Sequence, residues 1–408
     1  MLISSRPQLV CLFAMLFLFA SGSVVMAQHD PSGVTGGGTI RGSTERSSKP
    51  ATKPATKPAK KSASATTPPA SRKRPTPVPI RRSTAATATT ATAVFYYQQG
   101  EALYNSQKYR EALEPYLKAT QINPSMASAL YRIGWIYNDL EEYDSALDPI
   151  KRVIAIQPNN AAAHFELGYA YRKLERFNEA LPAFLQTVRI KPDYASAHYE
   201  IGWIYNEQKN YAEAIKSQKL ALTHRAAYAE ARTELGYSFR NLGRNAEAMQ
   251  EYQEAIRLKP DMGLAYLGLA DVYYYNTKQY AEAAKGYKQG LQLRPNNVTA
   301  LYNLAWCYND LERYTEAIDE LRKALKLRPN YPEAYNEMGY ALHQLGRFAE
   351  AVREYQIAIR QKTDYASAHY NLGLSFVAMH NRNGAVEQYR ILQRIDAARA
   401  TKLFNQIK

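Results

Sequence analysis

Apolar and small residues return along this chain at intervals of 34 residues. The segment Gly134-Trp-Ile-Tyr-Asn138 reappears as Gly202-Trp-Ile-Tyr-Asn206 and again as Ala305-Trp-Cys-Tyr-Asn309. Weaker copies, Gly168-Tyr-Ala-Tyr-Arg172 and Gly236-Tyr-Ser-Phe-Arg240, lie between them. A fixed period of this size predicts stacked structural repeats, each too small to bury its own apolar face.

Two helices joined by a turn are predicted within each interval, because apolar residues recur there at helical spacing. In the second interval Leu130, Ile133 and Tyr137 share one helical face, and Ala146 and Ile150 share a face on the next helix. Each interval should therefore fold as a helix–turn–helix unit that depends on its neighbours for a core.

Small residues and prolines recur at fixed positions within the intervals. Each position, called a place, is numbered from the first residue of its interval, and the first interval begins at residue 93. The eighth place holds glycine or alanine: Gly100, Gly134, Gly168, Gly202, Gly236, Ala270, Ala305, Gly339 and Gly373. The twentieth holds alanine throughout: Ala112, Ala146, Ala180, Ala214, Ala248, Ala283, Ala317, Ala351 and Ala385. Six intervals close on proline: Pro124, Pro158, Pro192, Pro260, Pro295 and Pro329. Small residues let helices cross closely, and proline ends the second helix.

Nine units are predicted between residues 93 and 399. Their boundaries are 93–126, 127–160, 161–194, 195–228, 229–262, 263–297, 298–331, 332–365 and 366–399. Ala226 and Thr363 replace the closing proline in two of them. The sixth unit has one extra residue near Tyr275-Asn276-Thr277, which predicts either a longer turn or a bulge in its first helix.

A capping helix is predicted over residues 393–408, because an array of repeats needs a terminal segment with a polar outer face. Ile395, Leu403, Phe404 and Ile407 are expected to cover the last unit. Arg399, Lys402 and Lys408 are expected to face water.

The pattern of these units closely resembles the tetratricopeptide repeat (TPR) family, over residues 93 to about 399. The resemblance implies an all-α fold, a right-handed superhelical solenoid of tandem helix–turn–helix repeats. It also implies that the first helix of each repeat lines a concave groove through its second, fifth, ninth and twelfth places.

Aromatic residues with interleaved asparagine and arginine occupy those groove places. The candidate partner-binding residues are Tyr131, Trp135, Asn138, Phe165, Tyr169, Arg172, Tyr199, Trp203, Asn206, Tyr237, Arg240, Tyr302, Trp306, Asn309 and Tyr340. Aromatic rings offer flat apolar area, and asparagine and arginine add directional hydrogen bonds, which suits an extended peptide or a helix. The alternative is that neighbouring rings pack on one another and only build the groove wall.

The N-terminal 27 residues resemble a secretory signal peptide, with an apolar run from Leu9 to Ala20 and cleavage expected between Ala27 and Gln28. An uncleaved anchor is the alternative, although the run is short for a membrane span. Cleavage would leave no transmembrane span in the mature chain. The signal predicts an exported protein, periplasmic or associated with the cell envelope, with secretion as a further outcome.

A basic linker is predicted over residues 28–92, rich in Pro, Ala, Thr and Lys and too poor in large apolar residues to fold. Residues 28–94 hold 12 Lys and Arg against two acidic residues, whereas residues 95–408 hold 39 against 35. The basic character therefore belongs to the linker, which could attract an anionic envelope polymer or act as a plain tether. The nearly balanced folded part argues against nucleic acid as a partner.

Catalytic and metal-binding patterns were not found in the sequence, so no enzyme activity, cofactor or metal is expected. His164, His198 and His369 recur at the fourth place of separate units and are expected to be packing residues. Cys307 is expected to be a buried structural thiol. The sequence favours a scaffold that binds another protein's extended segment or helix. An envelope-glycan binder using the aromatic residues, or a purely structural role in an envelope complex, are the alternatives.

Overall fold

The structure is a computed structural model that describes the backbone of residues 84–408 and the side chains from residue 89 onward. The predicted signal peptide, its cleavage site at Ala27 and Gln28, and the linker as far as residue 83 lie outside the described residues. Within residues 84–408 the regular secondary structure is entirely helical.

Each of the nine predicted repeats contains a pair of helices. The first helices are α1 (Thr84–Asn105), α3 (Ala127–Asp139), α5 (Ala161–Lys173), α7 (Ala195–Glu207), α9 (Ala229–Asn241), α11 (Gly263–Asp271), α13 (Val298–Asp310), α15 (Pro332–Gln344) and α17 (Ala366–Ala378). The second helices are α2 (Tyr109–Ile122), α4 (Tyr143–Ile156), α6 (Phe177–Ile190), α8 (Tyr211–His224), α10 (Asn245–Leu258), α12 (Tyr280–Leu293), α14 (Tyr314–Leu327), α16 (Phe348–Gln361) and α18 (Arg382–Ile395). A last helix, α19 (Ala397–Ile407), follows the ninth repeat.

Helix α1 begins at Thr84, before the boundary at residue 93 that the repeat pattern gave. Residues 84–92, predicted to be linker, are therefore helical. The stretch contains only alanine and threonine, and the nearest proline is Pro79. Alanine has the highest helix propensity, so nothing in this stretch stops the helix from extending beyond the repeat.

Close helix crossing is confirmed at the small residues. The alanines at the twentieth place are all completely buried. A Cβ added at Gly134 would overlap the side chain of Ile150 on the partner helix. The sixth repeat exchanges the roles, because Ala270 takes the glycine place and Gly286 lies opposite, where an added Cβ would be 2.9 Å from the Ala270 Cβ.

The extra residue of the sixth repeat is absorbed within its first helix. Residues Val272–Asn276 form a single π-helical stretch that continues α11. Of the two predicted outcomes, the bulge is therefore the one the structure shows. A π-bulge accommodates one inserted residue without changing the helix on either side of it.

The second helices end at the same place whether or not proline follows. Arg225 and Lys362, which precede Ala226 and Thr363, have extended backbones with φ of −146° and −141°. In each case the backbone N–H still bonds to the carbonyl four residues back, Ala221 or Ala358. Proline therefore favours this ending, but the turn also forms without it.

The terminal cap is a separate helix, although it begins at Ala397 rather than at residue 393. Ala400 and Leu403 are buried against the ninth repeat, whereas Ile395 and Phe404 are each 39% exposed and cover it only partly. Arg399, expected to face water, is instead paired with Asp396, which caps the helix by accepting a hydrogen bond from the Arg399 backbone N–H.

The repeats stack as an all-α solenoid in which the first helices lie on the inside. First helices of neighbouring repeats contact one another, as in α3 with α5, α7 with α9 and α15 with α17. Among the described residues, second helices of neighbouring repeats do not approach one another as closely. None of the described helices has the length and apolar character needed to span a membrane.

Candidate functional site

The predicted partner-binding residues all lie on first helices and therefore on the inner side of the solenoid. Most of them point toward the boundary with a neighbouring repeat, here called a joint and named by the two repeats that meet there. The geometry of the joints decides which of these side chains remain available to a partner.

Rings at the ninth place pack against the preceding repeat. Trp135 meets Tyr104 and Tyr109 edge to face, with ring centroids 5.2 and 5.4 Å apart. Trp203 meets Phe177 in the same way at 5.7 Å. The same edge contact, at 6.2–6.3 Å, joins the pairs Tyr169–Tyr143, Tyr237–Tyr211 and Tyr340–Tyr314. Each ring is thus half-buried, with part of its surface left open to the groove.

Trp306 is held differently because the sixth repeat contains the bulge. Its ring lies 5.9 Å from Tyr274, which belongs to the π-helical stretch, and 5.6 Å from Tyr302 of its own helix. A hydrogen bond between the Trp306 side chain and Glu337 lowers the pKa of that carboxyl against the larger effect of burial. Trp306 therefore connects three consecutive repeats.

In three repeats the ring at the fifth place packs on a tyrosine that closes the same repeat. The pairs Phe165–Tyr194, Tyr199–Tyr228 and Tyr302–Tyr331 have centroids 4.9, 5.1 and 5.0 Å apart. Tyr131 is half-buried and packs against the core of repeats 2–4. The closing tyrosines and the rings at the seventeenth place, such as Tyr109 and Phe177, are not among the predicted site residues, although both sets recur at the repeat period.

Asparagines at the twelfth place bind a glutamate on the next repeat. Asn138 donates to the Glu166 carboxylate at 2.8 Å, and Asn206 donates to Glu234 at 2.8 Å. Both asparagines also reach the backbone carbonyl of the same glutamate, at 3.1 and 3.2 Å. Asn309 and Glu337 make the equivalent but longer contact, at 3.5 Å.

Arginines at the twelfth place form ion pairs across their joints. Arg172 Nε lies 2.7 Å from a Glu200 carboxylate oxygen, and Arg240 pairs with Asp271. Each guanidinium also lies over rings at the ninth place: Arg172 is 5.0 Å from the Trp203 ring, and Arg240 is 5.4 Å from the Tyr237 ring. These contacts orient the arginines along the joint, with part of each side chain exposed.

Carboxylates in the joints are held in unfavourable surroundings for a charge. Burial raises the pKa of Glu166 and Glu200, and raises the pKa of Glu234 and Glu337 to about 7. Hydrogen bonds from asparagine act in the opposite direction at Glu166, Glu234 and Glu337, but a neutral amide does not replace the lost hydration of a carboxylate.

Four of the fifteen candidate residues are buried and belong to joint contacts. Asn138, Asn206 and Asn309 are 5%, 3% and 6% exposed, and Tyr302 is 1% exposed. The amides expected to give a partner directional hydrogen bonds are therefore used between repeats. The remaining eleven residues are half-buried, so each packs in the groove wall while part of its surface stays exposed. Partner contact at these eleven residues stays a prediction.

The recurrent histidines and the single described cysteine have structural roles, as predicted. His164, His198 and His369 bond through Nε2 to the carbonyls of Pro158, Pro192 and Thr363 in the turn before each helix, at 2.9, 2.8 and 3.0 Å. Cys307 is fully buried, and burial raises the pKa of its thiol. Among the described residues no cluster of three or more His, Cys, Asp or Glu side chains could hold a metal ion.

Family models match most of the repeat region. A tetratricopeptide repeat model matches residues 97–161 and 165–231, and a TPR repeat model matches residues 236–276, 307–346 and 339–379. A model described as anaphase-promoting complex, cyclosome, subunit 3 matches residues 263–324. A search of curated proteins gave no significant match.

Solved structures of repeat proteins align with parts of the chain. YrrB, described as a TPR protein with an unusual peptide-binding site, is 23% identical with a TM-score of 0.44, over 47% of this chain and 99% of YrrB. PilF of Pseudomonas aeruginosa is 19% identical with a TM-score of 0.46, over 52% of this chain and 97% of PilF. The Cut9–Hcn1 hetero-tetramer is 16% identical with a TM-score of 0.49, over 68% of this chain and 54% of the matched chain. By its repeat pattern, its helix pairs and the family models that match it, the chain belongs to the tetratricopeptide repeat family.

Proposed function

We propose that the protein is an interaction scaffold whose inner surface binds an extended segment or a helix of another protein. The half-buried rings at the ninth place carry this proposal. Apart from Trp306, each is fixed by an edge contact with the preceding repeat, so its exposed part is presented without further loss of side-chain freedom. Rigid aromatic surface of this kind is where binding energy concentrates in protein interfaces.

The repeat geometry supports a long partner rather than a small molecule. These rings occupy the ninth place in repeats 2–5, 7 and 8, so a partner lying along the inner side of the solenoid meets several in succession. Two cavities, one beside Arg232 and Glu254 and one beside Tyr96 and Lys118, are open surface features rather than enclosed pockets. An extended peptide or a helix fits such a surface through repeated small contacts.

An envelope glycan remains the competing candidate. Sugar rings stack on open aromatic faces, whereas here three rings at the fifth place already pack on the closing tyrosines, with centroids about 5 Å apart. Those ring faces are therefore partly occupied within the protein, which favours a peptide partner.

Cross-linking in intact cells tests the proposal. We expect the paired replacement of Tyr169 and Tyr237 by alanine to lower the yield of cross-linked partner at least tenfold. Each of these tyrosines makes one edge contact, so the fold should tolerate the change better than loss of a tryptophan. The matched control replaces Leu185 and Leu220, which are 44% and 46% exposed on second helices, by alanine.

The results separate the candidates. Equal capture by both variants and by the unchanged protein would reject the inner surface as the binding site. If soluble cell-wall fragments change the tryptophan fluorescence and captured partner peptides do not, the glycan is favoured.

We further propose that the protein is exported. The intact mass of the protein in the envelope fraction tests whether the mature chain begins at Gln28.

A further inference from the structure

Charge is unevenly divided between the two sides of the solenoid. The sixth, ninth, twelfth and thirteenth places of the first helices, here called the inner places, hold nine carboxyl groups and four bases, a formal net charge of 4 − 9 = −5. The carboxylates are Glu101, Asp139, Glu166, Glu200, Glu207, Glu234, Asp271, Asp310 and Glu337, and the bases are Arg132, Arg172, Lys173 and Arg240. Residues 95–408 as a whole carry 39 − 35 = +4, so the inner places are acidic within a basic region.

Three of the four bases are already used. Arg132 pairs with Glu101 at 2.8 Å, Arg172 pairs with Glu200, and Arg240 pairs with Asp271. Only Lys173 remains to offset the other six carboxylates. The described contacts of Glu166, Glu234 and Glu337 are with neutral groups, chiefly asparagine amides.

Two joints additionally contain an amide oxygen that lacks a donor. At joint 4–5 the Asn206 oxygen accepts a hydrogen bond from the Ser238 hydroxyl at 2.6 Å. The corresponding residues at joints 2–3 and 7–8 are Ala170 and Ala341, which cannot donate. The Asn138 and Asn309 oxygens accordingly have no hydrogen-bond partner among the described residues, although both asparagines are more than nine-tenths buried.

These two joints thus combine a carboxylate, an amide oxygen and aromatic rings, but no donor that carries charge. Burial raises the pKa of the Tyr131 and Tyr194 phenols, and the nearby Glu166 carboxylate adds to that rise. Glu337 acts in the same way on Tyr331. An ammonium or guanidinium group satisfies such a site, because it donates to both oxygens and is attracted to the ring faces.

We infer that the inner surface binds a partner segment that carries lysine or arginine, with its cationic groups held at joints 2–3 and 7–8. The inference rests on the proposed scaffold function and adds the chemical class of the partner. The ammonium or guanidinium would pair with Glu166 or Glu337, and Tyr131 or Tyr331 would lie beside it.

Binding of short labelled peptides to the mature full-length protein tests this inference. The probe alternates lysine and serine, and the comparison peptide has glutamate in place of each lysine. We expect the lysine peptide to bind and the paired change Glu166→Gln and Glu337→Gln to weaken it about tenfold, with a smaller dependence on salt. The matched control is Glu254→Gln with Glu282→Gln, which removes the same charge from second helices.

A second variant separates the site from a general loss of charge. Ala170→Ser with Ala341→Ser supplies the missing hydroxyl donor without changing charge, so it should weaken the lysine peptide while leaving the salt dependence unchanged. Melting temperatures of all variants establish that the protein remains folded.

The outcomes distinguish this inference from the scaffold proposal. If the glutamate peptide binds and its binding is lost in Tyr169→Ala with Tyr237→Ala, the scaffold function stands and the cationic class is wrong. If the lysine peptide binds equally to the Glu166→Gln, Glu337→Gln protein, the assigned joints are wrong. If no replacement on the inner side affects either peptide, both proposals fail.

Discussion

The twelfth place of each repeat shows how a single side chain can serve packing where function was expected. Asn138, Asn206 and Asn309 have the residue type and periodicity of a recognition surface. Each nevertheless donates a hydrogen bond from its amide to a glutamate of the next repeat. The sequence contains the signal for this pairing, because a glutamate follows each of these asparagines 28 residues later. Only the stacking of the helices shows that this separation brings the two side chains into contact.

The amide oxygens in the joints predict a stability difference between serine and alanine at the tenth place. Ser238→Ala should lower the free energy of unfolding by about 1–2 kcal/mol, because it leaves the buried Asn206 oxygen without a donor. Ala170→Ser should raise it by about 1 kcal/mol by supplying that donor to Asn138. Denaturant unfolding of the two variants beside the unchanged protein measures both effects.

A lower free energy of unfolding for Ser238→Ala and a higher one for Ala170→Ser would support the conclusion that the Asn138 oxygen lacks a donor. A destabilising Ala170→Ser would mean that the Asn138 oxygen is satisfied by water or that the joint lacks room for the hydroxyl. Ala102→Ser is the control, because Ala102 occupies the same tenth place in the first repeat, which has no preceding repeat, and is exposed.

At the scale of elements, the turn between the two helices of a repeat has one conformation throughout. Its middle residue has a positive φ in all nine repeats: Gln107, Glu141, Glu175, Lys209, Gly243, Lys278, Glu312, Gly346 and His380. Glycine occupies it only at Gly243 and Gly346. Seven side chains are therefore held in the left-handed region because the helices on either side fix the turn.

This turn predicts opposite effects of exchanging glycine with other residues. Gly243→Ala should lower the free energy of unfolding by about 1 kcal/mol, because a Cβ at positive φ is strained even though it would meet no atom within 4 Å. Lys209→Gly should raise it by a few tenths of a kcal/mol, since glycine removes the strain but loses more backbone entropy on folding. Thermal unfolding of both variants gives the comparison, and a neutral Gly243→Ala would show that the turn relaxes.

For the whole repeat region, stability is distributed along the chain because each repeat contacts chiefly its neighbours. The core is correspondingly divided into consecutive clusters, one of which consists of Leu392, Ala400 and Leu403 at the C-terminal end. A destabilising replacement at one end of the array should therefore lower the stability of the adjacent repeats and leave the distant repeats unchanged.

Replacement of Leu403 tests this local behaviour. Leu403→Ala should cost about 3 kcal/mol, because the side chain is fully buried against Gly373 and leaves a cavity. Hydrogen exchange should accelerate in α17, α18 and α19 and remain unchanged in α1 to α8. Phe404→Ala is the control, since that ring is 39% exposed and should cost much less. Faster exchange throughout the array would contradict a local effect and indicate one cooperative unit.

The sequence by itself determined the repeat period, the helix pairs and the small residues at the crossings. Each of these follows from local spacing that is repeated nine times, and repetition makes a weak signal reliable. The sequence also located the extra residue near Tyr275, but only the structure decided between a bulge and a longer turn. It could not determine the start of α1, because an alanine- and threonine-rich segment has no boundary signal of its own. The tertiary structure alone decided how the groove residues are used. Whether Asn138 faces a partner or Glu166, and whether Trp135 is open or pressed against Tyr109, depends on the angle and distance between stacked repeats, which no single repeat encodes.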